Sequence, residues 1–321
     1  MAILQAVDAP SLTLESLPLA GIGLALVAAA LLAVGNELQS RGIAKASNPD
    51  PEASGFGWKQ FRRLFKSRVW LLGTVALGLS IVVQLASLSL APLIVVQPVG
   101  VAALVFAALI TAWATRSRPS RRVVRAILVC VVGVGVFVTV AALVAKQRAI
   151  DDGELVTILV VLGVVLLVLG AVFVVFQRSR GGVPPILYVL AGGGLTGFVA
   201  TLGKTVILRV QSALNGDFAF DSATVLTGLC VLSILVAGGL SIYFVQMSHT
   251  GNKPEVVVAG ITVVDPFVAV ILGIAILGEA AGAPLWSILA FVVAGGVAVT
   301  GVFLLSAAQQ KDEAVAAART A

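Results

Sequence analysis

The sequence predicts an all-α membrane protein with nine transmembrane helices, arranged as two inverted four-helix repeats around a linking helix. The first observation is composition: 59% of the 321 residues are hydrophobic, only 11% are charged, and the mean hydropathy is +1.10. Soluble domains carry about 25% charged residues. The second is a repeated pattern, because Val95–Pro98 (VVQP) returns as Val263–Pro266 (VVDP), and Gly35-Asn36 returns as Gly203-Lys204, each displaced by 168 positions.

The helices themselves are predicted from the lengths of the apolar runs. A helix needs about 20 mainly apolar residues to cross the hydrocarbon core. Nine runs meet this requirement: 19–42, 68–89, 91–114, 122–145, 155–177, 184–209, 223–247, 255–278 and 284–307. Residues 19–145 form the first repeat, 155–177 the linking helix and 184–307 the second repeat. An odd number of crossings separates corresponding helices, so the repeats should run in opposite directions through the membrane.

The segments between the helices set the expected orientation. Residues 1–18 are predicted to be an extracytoplasmic tail, 45–67 a basic cytoplasmic loop and 308–321 a cytoplasmic tail. Cytoplasmic loops collect Lys and Arg, and this topology puts 17 of the 21 Lys and Arg residues inside. We therefore predict a multi-pass protein of the plasma (inner) membrane, with its N-terminus outside and its C-terminus in the cytoplasm. The aromatic residues expected to seat the basic loop at the lipid headgroups are Trp58, Phe61, Phe65 and Trp70.

Polar residues inside the apolar runs are the functional candidates, because their desolvation is costly. Asp265-Pro266 has the N-cap and N1 pattern that begins a helix, which predicts a half-helix starting near the bilayer midplane, and Gln97-Pro98 predicts the same in the first repeat. Broken helices offer backbone carbonyls and a positive helix end to ions and polar substrates. The predicted binding residues are Asp265, Gln97, Lys204, Glu37, Asn36 and Gln84, and the predicted helix breaks are Pro98 and Pro266.

Each candidate also has a simpler explanation. The two prolines could only kink their helices for packing, the amides could join neighbouring helices, and Glu37 could reach the membrane interface. For Lys204, which lies among apolar residues, we hypothesise an ion pair with Asp265 that a proton, a cation or an anionic substrate would break during transport. Glu279, at the external end of the eighth helix, is expected to be solvated.

Several other classes of function are excluded by the residues present. Gly203-Lys204-Thr205 resembles the end of a phosphate-binding loop, but the glycine that the motif requires at position 198 is Phe198. His249 is the one histidine, which excludes a His-based zinc site and a Ser-His-Asp hydrolase. No aromatic-basic surface motif indicates nucleic acid. We therefore predict no enzyme activity, no cofactor and no nucleic-acid partner. The expected partners are membrane lipid and a small-molecule or ion substrate, and homodimer formation stays open.

Two stretches resemble known transporter families. Ala91–Gly100 (APLIVVQPVG) resembles a motif of NIPA-type transporters, and Gly197 through Lys204, followed by Gln246 and Asn252, is similar to that family's second half. Pro266 to Gly278-Glu279 resembles EamA-type repeats. Both groups belong to the drug/metabolite transporter (DMT) superfamily. The resemblance covers about residues 19–280 and implies inverted repeats, secondary transport and a central cavity. NIPA-type members, which the resemblance would make magnesium transporters, tend to carry acids at two places that here hold Ile81 and Ser117.

Three hypotheses of function follow. The leading one is a secondary transporter that moves a small polar or amphipathic organic solute by alternating access, with proton exchange through Asp265. The alternative is a NIPA-like magnesium or divalent cation transporter, with Asp265, Glu37 and the amides as ligands. The third is a non-transporting membrane partner protein, in which the buried polar groups would serve only assembly.

Overall fold

The computed structural model describes residues 18–46, 67–114, 119–147, 150–178, 182–214 and 222–320, and all regular structure in these ranges is helical. The helices are α1 (Leu19–Ala46), α2 (Arg68–Leu90), α3 (Leu93–Gly100), α4 (Ala102–Ala114), α5 (Arg121–Val144), α6 (Asp152–Arg178), α7 (Pro185–Leu214), α8 (Ser222–Gly251), α9 (Pro254–Ala275) and α10 (Leu285–Thr320). The N-terminal tail up to residue 17, most of the basic loop with Trp58, Phe61 and Phe65, and Ser117 lie outside the described residues.

Nine helical segments of the described chain are long and apolar enough to cross a membrane, which confirms the predicted membrane fold. One of them, Leu93–Trp113, combines α3 and α4. The chain alternates between two ends of the bundle. We call the end where α2 passes into α3 the Pro92 end, and the end where α8 passes into α9 the Pro254 end.

The helices pack through small residues. Between α1 and α2, a Cβ placed on Gly73 would lie 2.8 Å from the Gln39 amide nitrogen, and between α5 and α10, a Cβ on Gly301 would lie 2.5 Å from the Cys130 Cα. Close backbone approach of this kind is how helices associate in lipid, where no hydrophobic force drives them together. The linking helix α6 packs on α7 and α8, and its Leu167 is 76% exposed, as expected for a side chain that faces acyl chains.

Equivalent helices of the two predicted repeats have equivalent neighbours. In the first half α1 packs on α2 and α4, and in the second half α7 packs on α8 and α9. The last helices of the two halves, α5 and α10, pack on each other. This is the packing that a duplicated unit would produce, and the opposite orientation of the two copies stays a prediction.

The third span begins just after an extended residue, and no half-helix starts at Gln97-Pro98, where the sequence predicted one. Ala91 has an extended backbone (φ −142°, ψ 154°), and α3 begins after Pro92 at Leu93. The residue before a proline is pushed out of the helical region, which explains the break. Pro98 lies inside α3, and a tightened turn follows at Val101, whose backbone is still helical (φ −58°, ψ −25°) and whose amide donates to the Pro98 carbonyl at 3.2 Å. The helix that carries Gln97-Pro98 therefore starts at Leu93, and the predicted half-helix at Gln97-Pro98 is wrong.

The predicted half-helix at Asp265-Pro266 is wrong. α9 runs without interruption from Pro254 to Ala275, with Pro266 in its interior. A proline inside a helix lacks the amide hydrogen that would bond the carbonyl four residues earlier, but here the flanking turns keep the helix intact. Asp265 is therefore an interior residue of α9 and caps no helix.

Candidate functional site

The two prolines of the repeated pattern line one cavity. It has a volume of about 100 Å³, and its walls come from α3, α5, α9, α10 and Val101. Pro98, Thr262, Pro266 and Phe267 contribute to it, and the remaining lining residues are mostly aliphatic. Gln97 and Asp265 do not line this cavity although each precedes one of its prolines. The cavity therefore has nothing in its lining that would bind a polar solute or an ion strongly.

Asp265 lies where α9 packs on α7. A Cβ placed on Gly197 of α7 would lie 2.8 Å from the Asp265 carbonyl oxygen, so the two backbones are in direct contact. The Asp265 Oδ1 is buried and has no hydrogen-bond partner among the described residues. A buried carboxylate oxygen without a partner costs free energy comparable to a lost charged hydrogen bond. Of the three buried side-chain atoms without a partner in the described part of the chain, it is the one that belongs to a carboxylate.

The other predicted residues lie in different surroundings. Gln97 is 7% exposed and lies on α3, which packs on α9. Asn36 on α1 is exposed, and Gln84 on α2 is half-buried. Glu37 accepts a hydrogen bond from the Arg41 Nε at 2.7 Å within the same helix, and both side chains are partly exposed. Gln97 is thus the amide best placed to accompany Asp265, and Glu37 has a local partner near the Pro254 end.

Lys204 forms a buried ion pair with Glu279 and not with Asp265. The Lys204 Nζ lies 2.5 Å from the Glu279 Oε1, and both side chains are 2% exposed. Lys204 follows Gly197, the residue in contact with Asp265, by seven positions, or about 10 Å along α7. The hypothesised pair between Lys204 and Asp265 is therefore wrong, because the two residues lie at different levels of the bundle.

The expectation that Glu279 is solvated is wrong as well. Its Oε1 accepts a hydrogen bond from the Leu93 amide at 2.8 Å, and its Oε2 accepts one from the Ile94 amide at 2.9 Å. These are the free amides at the start of α3, where the helix dipole also favours a negative charge. A carboxylate from the second half of the chain thus caps the start of α3 in the first half.

Further bonds place Glu279 at the junction of several helices. Its backbone carbonyl accepts from the Lys146 amide after α5 at 2.8 Å. The Lys204 ammonium also donates to the Ala91 carbonyl at 3.2 Å. Glu279 therefore joins α3, α5 and α7 to the connection between α9 and α10, all at the Pro92 end.

The local sequence explains how Glu279 reaches this position. α9 ends at Ala275, and the chain then turns through Gly278, which is in the left-handed conformation (φ 60°), so that the Glu279 amide donates back to the Gly273 carbonyl at 3.0 Å. A glycine shortly past a helix commonly returns the chain over the last turn in this way. A Cβ on Gly273 would lie 3.0 Å from the Glu279 Oε2. Sequence reasoning missed the residue, yet the glycine just before an acid at a helix end was the signal that could have located it.

The arrangement has two chemically different parts. The Lys204–Glu279 pair is saturated: its charges compensate each other and its oxygens hold backbone amides. Asp265 contacts α7 at Gly197, which lies about 10 Å along that helix from Lys204. It has a carboxylate oxygen free to bind a cation or a proton. No group of three or more His, Cys, Asp or Glu side chains suited to a metal occurs in the described part of the chain.

Comparisons with known proteins identify the family. No curated protein and no solved structure gives a significant match to the chain. A family model described as "Magnesium transporter NIPA" matches residues 17–311, which include all nine membrane spans except the last residue of the ninth. The chain belongs to the NIPA family of membrane transporters.

Proposed function

We propose that this protein carries Mg²⁺ across the membrane as its substrate, by exposing a site at Asp265 alternately to the two sides. The observation that carries the proposal is the NIPA family match over residues 17–311. It favours the cation alternative of the sequence analysis over the organic-solute hypothesis. The unpartnered Asp265 Oδ1 supports it from the structure, because a passing cation would supply the missing partner.

The ligands available suit an ion that keeps part of its water. Mg²⁺ dehydrates reluctantly and is usually held by one or two carboxylates together with water molecules. Asp265 supplies one carboxylate, and the Gln97 amide on the neighbouring α3 supplies a neutral oxygen in the proposed site. We leave Glu37 out of this site because Arg41 already neutralises it within its own helix. A single net charge in the site also allows release, since a site with many acids would hold the ion too tightly.

The proposed orientation puts the Pro92 end outside and the N-terminus outside the plasma membrane. The excess of Lys and Arg in the segments assigned to the cytoplasm supports it. In this orientation the Lys204–Glu279 pair lies between external water and Asp265. The proposed path therefore runs from the Pro92 end, past this pair, to Asp265 and on toward the Pro254 end.

Flux into proteoliposomes tests the proposal. The purified protein is reconstituted in vesicles that contain a Mg²⁺-sensitive dye, and Mg²⁺ is added outside. We expect dye signal to rise faster than in protein-free vesicles made from the same lipids. Mg²⁺ entry no faster than in the protein-free vesicles would overturn the proposal. Counterflow of organic solutes in the same vesicles would then favour the organic-solute hypothesis.

A further inference from the structure

We propose that Lys204 and Glu279 act as positioning residues that form a gate latch, closing the transport path at the Pro92 end. The inference rests on the proposed transport function and concerns a pair that the substrate site does not use. Glu279 holds the first two amides of α3, and Lys204 bridges from α7 to Glu279 and to the Ala91 carbonyl. The latch thus fastens the start of α3 to the second half of the protein.

The position of the latch fits a gate. Both side chains are 2% exposed, so water does not reach them in this conformation. Thr201, one turn deeper on α7, is fully buried, and Gly197, a further turn along, contacts the Asp265 backbone. Any route from the Pro92 end to Asp265 along α7 must therefore pass the latch, and opening it requires α3 and Glu279 to separate or to move together.

The segment that the latch holds is built to move as a unit. α3 is only eight residues long, with the extended Ala91 and Pro92 before it and a helical turn at Val101 after it. Residues at the ends of helices absorb the backbone rotations of gating motions. The Glu279 carboxylate is the side chain that ties the free end of this piece in place, which makes it a contact that can be made and broken.

The two ends of the bundle differ in the charge of the residues at equivalent positions. The 168-residue displacement relates Lys204 to Asn36 and Glu279 to Thr111, and both of these residues lie near the Pro254 end. A charged, buried pair thus stands at one end, and neutral polar residues stand at the equivalent places of the other. The latch therefore favours the conformation that is closed at the Pro92 end, and the Pro254 end lacks an equivalent charged pair at these positions.

Cysteine labelling tests the latch directly. Thr201→Cys is made in a chain carrying Cys130→Ala and Cys230→Ala, with and without Glu279→Gln. A membrane-impermeant thiol reagent is applied to intact cells and, separately, to inverted membrane vesicles. We expect Glu279→Gln to raise the labelling rate of the Thr201→Cys thiol at least about tenfold in intact cells, because breaking a buried pair shifts a closed population strongly. In inverted vesicles the rate should not rise.

A native cysteine provides the control for general loosening. Cys130 is 1% exposed and packs against Gly301, between α5 and α10, so a chain that keeps Cys130 alone reports whether the whole bundle has opened. Faster labelling at Thr201→Cys with an unchanged rate at Cys130 supports the latch. An equal rise at both positions, or no rise at Thr201→Cys, would overturn it.

A second variant keeps the test informative if Glu279→Gln does not fold. Lys204→Gln leaves Glu279 bonded to the Leu93 and Ile94 amides and removes only the bridge from α7, so the same rise in labelling is expected. Because labelling needs no flux, the two proposals fail separately. A labelling difference without Mg²⁺ transport would support the latch as a gate and would reject Mg²⁺ as the transported substrate.

Discussion

Removing both partners of the Lys204–Glu279 pair should destabilise the protein about as much as removing either one alone. In Lys204→Met, Glu279 keeps its two amide bonds but loses the countercharge at 2.5 Å. In Glu279→Gln, the Lys204 ammonium keeps only the Ala91 carbonyl. Each single variant leaves an uncompensated buried charge, for which the expected loss is about 3–5 kcal/mol.

The double variant tests whether these losses share one origin. Lys204→Met combined with Glu279→Gln leaves no buried charge at the Pro92 end, and the glutamine can still accept a bond from an α3 amide. Its loss should therefore be close to that of one single variant and well below the sum of the two. The coupling free energy between the two positions should therefore equal one single loss, about 3 kcal/mol at the low end of that range, which is the upper end for residues in direct contact.

The measurement is reversible unfolding of the purified protein by SDS in mixed micelles, followed by tryptophan fluorescence. Glu37 and Arg41 provide the matched control, because they form a partly exposed pair one turn apart on α1. Their double-variant cycle should give a coupling of only about 0.3–0.5 kcal/mol. Additive losses at Lys204 and Glu279 would refute the reasoning, because they would mean that the two charges do not compensate each other.

Two glycine substitutions test the surroundings of the same pair. In Gly21→Ala the new Cβ would clash with the Ala91 Cβ, and we expect a loss of about 1–3 kcal/mol from overpacking. Gly23→Ala, where nothing lies within 4 Å, should be nearly neutral in the same SDS titration, and equal losses would contradict the predicted contact. Gly278→Ala places a side chain at φ 60°, where alanine is strained by about 1 kcal/mol. It should also raise Thr201→Cys labelling, whereas Gly296→Ala, in open space, should change neither quantity.

The membrane fold could be predicted from the sequence because apolar length alone decides which helices can span. Every predicted run has a spanning helix in the described chain, with boundaries that move by a few residues, as at the end of α7. The start of the third span was predicted correctly to within a few residues, but the half-helix predicted at Gln97-Pro98 was wrong. Pro92 and Pro98 can each interrupt a helix. The sequence does not show at which of them other helices can supply partners for the backbone groups that are freed.

The ion pair could not be predicted in the same way. Lys204 stood out because it lies among apolar residues, but its partner is 75 positions away in the chain. Asp265 was the acid predicted near the bilayer midplane, whereas Glu279 was expected to be solvated and returns to the bundle only because Gly278 reverses the chain after α9. Such a partner depends on the path of a connection, and hydropathy carries no information about that path.

The most direct test of the account is Mg²⁺ flux through Asp265→Asn in the dye-loaded vesicles, measured beside the wild type and Asp312→Asn. Asp312 is an exposed acid near the C-terminal end of α10, so its substitution removes the same charge outside the proposed path. The account predicts that Asp265→Asn lowers the initial rate of Mg²⁺ entry by at least about tenfold, as expected for loss of a charged ligand at a buried site, and that Asp312→Asn keeps the wild-type rate. A wild-type rate in Asp265→Asn would contradict the claim that this carboxylate binds the ion during transport.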